Sequence, residues 1–176
     1  NLQSARSAYL EALRHNPPKK LEPLIHTGLA NVAYFQDDYA SSAIEWQTAF
    51  EKLEDPEYKA WALYRLGLCR QRLGQFGDAD KVFTAVQEQF PNSEPARRSR
   101  DHHGVRTFSV QFATFANSQL ADSAVATLRR EGVLASRQND SQGRSVVSVT
   151  SIPSYQQAWT LKARSVARYP DAIILP

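Results

Sequence analysis

Residues 60–92 read AWALYRLGLCRQRLGQFGDADKVFTAVQEQFPN, and this stretch decides the fold of the first half of the chain. Leu63, Leu66 and Gly67 fall on one face of a first helix. Gly74-Gln75-Phe76 makes a turn, Ala79, Phe83 and Val86 line a second helix, and Pro91 ends it. The small residues Gly67 and Ala79 mark where the two helices are expected to cross closely. A helix–turn–helix unit of about 34 residues cannot bury its apolar face alone, so it calls for stacked neighbours.

This pattern resembles the tetratricopeptide repeat (TPR) at most signature positions, with Arg70 in place of the usual aromatic residue. A second copy spans about 23–56. Leu29 and Ala30 match the Leu-Gly pair, and Tyr39, Trp46 and Ala49 fall in register, while Ser42 stands where Ala is expected and Glu54 where Pro is. Ala5, Tyr9, Ala12 and Pro17 match the second helix of a further repeat whose first helix is absent, which suggests more repeats upstream. After Pro91, Ser93 is placed to cap a short helix with Pro95 near its first turn, covering the open end of the stack. Residues 1–103 are therefore expected to form an all-α TPR solenoid of about two and a half repeats with a capping helix.

The resemblance implies a protein or peptide partner held in the concave groove lined by first helices. In this register Trp61, Tyr64, Leu68 and Gln71 face that groove, joined by Asn31 and Tyr34 from the preceding repeat. Trp61 and Tyr64 have a second reading, packing against the neighbouring helix. Asp101-His102-His103 has the residue types of a metal site, but adjacent histidines project in different directions and no further Cys or His lies close in sequence. Solvated linker is the expectation there, with no metal and no cofactor.

From Thr107 the period changes from 3.6 to 2. TFSVQFATF (107–115) reads as a strand, and Ala121, Ala124, Val125 and Leu128 mark a helix over about 118–131, capped by Ser118 and ended by Gly132. VLASRQ (133–138) and RSVVSVT (144–150) read as strands joined by the turn NDSQG (139–143). Ser154 caps a second helix to about Arg168, and AIIL (172–175) is the last strand. The order β-α-β-β-α-β predicts a ferredoxin-like α+β domain over 104–176, with both helices on one face of an antiparallel sheet. Phe108, Val110, Phe112, Val147 and Val149 are its natural covered set. Ser109, Gln111 and Ala113, with Val146, Ser148 and Thr150, are left on the other face.

FSVQFATF, Ala121, Leu128, Gly132, VVSVTSI, Ala158 and DAIIL together resemble a SPOR (sporulation-related repeat) domain. Ala113 replaces the family's Gly, and Thr150 and Ser151 stand where Gly-Pro is common. The resemblance implies binding to bacterial peptidoglycan, on glycan strands stripped of stem peptides, which accumulate at division sites. Such strands offer hydroxyls, acetamido groups and a free lactyl carboxylate on alternate sugars. The Gln111 amide supplies a donor and an acceptor, Ser109, Ser148 and Thr150 supply small hydroxyls, and Arg137 or Arg144 supplies a fork for the carboxylate. The resemblance, with the closing pattern of residues 82–99, points to the periplasm or cell envelope of a bacterium.

Composition narrows the alternatives. Residues 1–103 hold 13 Lys and Arg against 14 Asp and Glu, whereas 104–176 hold 8 against 4, so the basic surface lies in the C-terminal part. The overall charge of +3 is too weak to indicate nucleic acid. RNA-recognition domains share the β-α-β-β-α-β order but place aromatics on the open face, where the register here puts Ser, Gln, Ala and Val. No His lies in 107–176 and no carboxylate pair stands out, so no enzyme activity is expected. Cys69 is alone and forms no internal disulfide. No apolar run approaches the ~18 residues of a membrane span. A purely protein-binding scaffold, with the C-terminal domain as a docking unit, is the remaining alternative.

Overall fold

A computed structural model describes residues 1–176. The chain forms two compact units, Asn1–Val105 and Arg106–Pro176. No helix is long and apolar enough to cross a membrane.

The first unit holds six helices: α1 (Leu2–Arg14), α2 (Glu22–Phe35), α3 (Tyr39–Lys52), α4 (Pro56–Arg72), α5 (Phe76–Gln89) and α6 (Glu94–His102). Local signals start most of them. Asp38 accepts from Ser41 N–H to open α3, and Asp55 accepts from Glu57 and Tyr58 N–H to open α4, where Pro56 sits at the first position. Gly74 takes φ +76° in the turn between α4 and α5. Ser93 accepts from Ala96 N–H at 3.2 Å, so the expected capping helix forms as α6.

Each helix packs on the next, and α6 packs on α4 as well as on α5. The core comprises Leu29, Ala30, Trp46, Ala49, Leu63, Leu66, Cys69, Ala79, Phe83 and Val86, all nearly or fully buried. Ser42, the departure from Ala, is fully buried and keeps its hydroxyl satisfied by donating to the Ala30 carbonyl at 2.8 Å, while Cys69 Sγ donates to Ser42 Oγ at 3.3 Å. Burial pushes the Cys69 thiol up from its ordinary value, so it sits protonated and inert. Arg70 fills the missing aromatic slot less well. Its Nε is buried without a partner, and its Nη1 lies 3.9 Å from Asp78 Oδ2.

The second unit runs β1 (Phe108–Phe115), α7 (Ser118–Arg130), β2 (Ser136–Asn139), β3 (Ser145–Ile152), α8 (Tyr155–Ser165) and β4 (Ile173–Leu175). The sheet is antiparallel with strand order β2-β3-β1-β4. Phe108, Val110, Phe112 and Val147 are buried with Ala121, Leu128 and Ala158 of the helices. Phe108 meets the Tyr155 ring edge-on at 5.5 Å, and Phe112 meets Tyr169 at 5.6 Å. Val149, expected in this set, is only half-buried.

Three local expectations are corrected. Asn117, not Ser118, caps α7, accepting from Gln119 N–H at 2.7 Å. The second strand begins at Ser136 rather than Val133, because Val133 and Ala135 are drawn into a turn that follows α7 and are buried there. The pairing of β1 with β3 shifts twice. One shift lies between Gln111 and Ala113, and the other between Phe108 and Val110 on β1, opposite Ser151, whose φ is +59°.

Candidate functional site

Two surfaces were expected to bind, and the structure treats them differently. On the helical unit, Asn31, Tyr34, Trp61 and Leu68 are half-buried, whereas Tyr64 and Gln71 are only 5% and 3% exposed. The cause is His102. Gln71 Nε2 donates to the His102 carbonyl at 3.1 Å, which turns Gln71 Oε1 to His102 Nδ1 at 3.0 Å. Nδ1 must then carry the proton, and Nε2 accepts from the Tyr64 hydroxyl at 3.2 Å. The imidazole also lies against the Phe83 ring at 5.5 Å. Tyr64 and Gln71 are thus interior partners of α6 and not groove-lining residues.

His102 is correspondingly no solvated linker residue. Its burial lowers its pKa, while burial of the Tyr64 phenol raises that group. No group of three His, Cys, Asp or Glu side chains is placed to hold a metal ion. The capping helix was expected, but not that it runs on to His102 and packs that residue inward, although Ala96, Ser99 and His102 recur at helical spacing and Ala96 and Ser99 are fully buried.

The expected groove residues that stay partly accessible include Tyr34 and Trp61, each with arginine over its ring. The Arg72 guanidinium lies 4.4 Å from the Tyr34 ring centroid and that of Arg65 5.7 Å, and Arg98 lies 5.4 Å from the Trp61 ring. Asn31 Nδ2 donates to the Thr27 carbonyl at 3.0 Å within α2. A cavity of about 700 Å³ opens beside Trp61 between the start of α4 and the α5–α6 connection, lined also by Pro56, Phe90, Pro91 and Pro95.

On the α+β unit, Gln111 pairs with Ser148, and Ser148 pairs in turn with Ser136 on β2. Ser109 and Gln111 pair on the other side with Leu175 and Ile173. Directly opposed residues of antiparallel strands share a face. Ser109, Gln111, Ser148 and Thr150 therefore lie on the sheet face turned away from the buried set. Ser148, at 6% exposure, is sunk between its neighbours, while Thr150 is exposed. The same face carries two apolar side chains that sequence reading did not place there, Ile173 (44% exposed) and Leu175 (39%). Alternation alone does not tell which residues of AIIL face outward; the pairing of Ile174 with fully buried Val110 does.

The two expected carboxylate forks are elsewhere. Arg137 pairs with Val147 of the buried set, and its Nε meets Asp122 Oδ1 on α7 at 2.8 Å, so it belongs to the helix-covered side. Arg144 is held in the β2–β3 turn by Asp140 Oδ2 at 2.7 Å, and that contact holds the Asp140 carboxyl below its ordinary range.

With this geometry in hand, comparison with known families bears on the helical unit. Residues 61–93 match the tetratricopeptide repeat family model. The matched segment is α4 from Trp61 onward, α5 and the turn into α6, the stretch in which Gly67 and Phe83 meet. The TPR match makes protein partners the natural ligands of this unit. No curated protein is significantly similar to the chain.

Proposed function

We propose that this chain joins two binding activities: a TPR array that docks a protein partner, and a SPOR-like unit that holds peptidoglycan glycan strands lacking stem peptides. The TPR match over 61–93 supports the first. The second rests on one observation, the helix-free sheet face centred on Gln111, with Ser148 in register beside it. The strand order β2-β3-β1-β4 with two helices supports the ferredoxin-like reading and, with it, the SPOR resemblance. A shallow face of small polar residues suits a long polymer that must lie across it. The setting this implies is the bacterial periplasm or cell envelope, in cell division.

Retention of the 176-residue chain on purified sacculi tests the reading. Retention should rise when an amidase removes the stem peptides and fall when Gln111 is replaced by Ala. No retention on either preparation overturns it. A second reading, the sheet face as a protein-docking surface, is favoured by the exposed Ile173 and Leu175; it predicts no sacculus binding and a loss of partner capture on Ile173→Asp.

A further inference from the structure

We propose that the cleft at the C-terminal end of β1 takes the carboxylate-bearing sugar of the strand, and that Arg168 is the residue that selects it. This rests on the glycan reading above and deepens it. β4 pairs with β1 only from Ser109 to Gln111. Beyond that point the chain leaves the sheet, and a cleft of about 510 Å³ opens between residues 111–115 and 168–171. That volume falls within the ~300–1,000 Å³ of small-molecule sites.

Both walls are built. The wall at 168–171 is tied down by Tyr169, whose ring packs on Phe112 at 5.6 Å and whose N–H donates to the Ser165 carbonyl at 2.9 Å. The floor is shaped by the register shift between Gln111 and Ala113. In an unbroken strand Thr114 would point away from Gln111. Here Gln111 Nε2 donates to Thr114 Oγ1 at 3.2 Å, so the shift has brought both to one side. That bond orients the amide and leaves Gln111 Oε1 as an acceptor for an acetamido N–H.

The cation is fixed by the lining: no Lys or Arg other than Arg168 borders the cleft, and Arg137 and Arg144 are held elsewhere by Asp122 and Asp140. Arg168 lines the cleft with its side chain 53% exposed, and Glu131 Oε1 occupies only Nη2, at 3.1 Å. One N–H of Nη2 is left over, so Nη2 together with Nε or with Nη1 still offers a paired edge to a lactyl carboxylate. Asp171 on the same rim accepts from sugar hydroxyls. A stem peptide converts that carboxylate to an amide, removing the charge Arg168 recognises, so preference for bare strands is located here.

The test uses the full chain and a tetrasaccharide of alternating N-acetylglucosamine and N-acetylmuramic acid, as free acid and as lactyl methyl ester, titrated by calorimetry. The wild type should bind the acid about tenfold more tightly than the ester, at a charge-assisted fork. Arg168→Gln should erase that difference by lowering acid affinity to the level of the ester, and Glu131→Gln should strengthen acid binding. Arg168 is exposed, so circular dichroism should show both variants folded. Persistence of the acid preference in Arg168→Gln, or equal wild-type binding of acid and ester, overturns the assignment while the glycan reading stands. No wild-type binding of either compound overturns both.

Discussion

Gly67 on α4 and Phe83 on α5 touch so closely that a Cβ at position 67 would meet Phe83 Cε1 at 2.5 Å. Phe83 is fully buried, so its ring has nowhere to retreat. The absence of a side chain at position 67 is therefore what lets the two helices of the repeat cross here.

Gly67→Ala should destabilise the helical unit. Overpacking costs ~1–3 kcal/mol, against which the gain in helix propensity is at most about 1 kcal/mol. Gly77 in α5 has nothing within 4 Å of its Cβ position, so Gly77→Ala should leave stability unchanged or raise it by up to about 1 kcal/mol. Urea unfolding of both variants checks this; equal effects would mean the crossing is loose.

The helical unit should lose stability on mild acidification, through His102. Burial, with Arg72 and Arg98 nearby and Asp101 opposing them, lowers its pKa in the fold. The unfolded chain titrates near the ordinary 6.5, so below that value the unfolded state binds the proton first. The stabilisation is full above about 6.5 and is lost as pH falls from there toward the lower folded value. Thermal unfolding followed at pH 7.5 and 5.5 should show a larger drop in Tm for the wild type than for His102→Gln. Parallel curves would show that His102 titrates normally.

The repeat was legible in sequence because its spacing is local: Leu66-Gly67, Ala79 and Phe83 declare a helix pair without reference to the rest of the chain. The fate of Tyr64 and Gln71 was not, because it depends on where His102, 38 and 31 residues away, comes to rest. In the α+β unit, period-2 alternation places Phe108, Val110 and Phe112 correctly and stops being a guide at the shift past Gln111. Only the cross-strand register brings Thr114 beside Gln111, puts Ile173 and Leu175 on the open face, and sends Arg137 to the other side.

Gln111 and Arg137 should therefore part company experimentally. Gln111→Ala should weaken glycan binding and leave the fold intact, since Gln111 lies outside the buried set. Arg137→Ala should leave glycan binding unchanged and cost no more than about 1 kcal/mol, because its pair with Asp122 is largely solvated. Loss of binding in Arg137→Ala would return the carboxylate fork to that residue.

Phe112 separates a glycan or protein surface from a base-stacking one. Its ring is 3% exposed and lies against Tyr169, and Phe108 is equally buried against Tyr155. Neither ring is offered to a nucleobase, and Phe115 pairs with Ser145, whose hydroxyl accepts from Arg137 on the helix-covered side. Phe112→Ala should thus act through the core, costing the α+β unit ~3–5 kcal/mol, and single-stranded RNA should not bind the wild type at moderate salt. If the strand's phenylalanines formed a stacking platform, the same substitution would leave the melting curve in place and cost ~1–3 kcal/mol of RNA affinity per base. Melting curves and an RNA titration on one pair of proteins separate the two, since each predicts a change where the other predicts none.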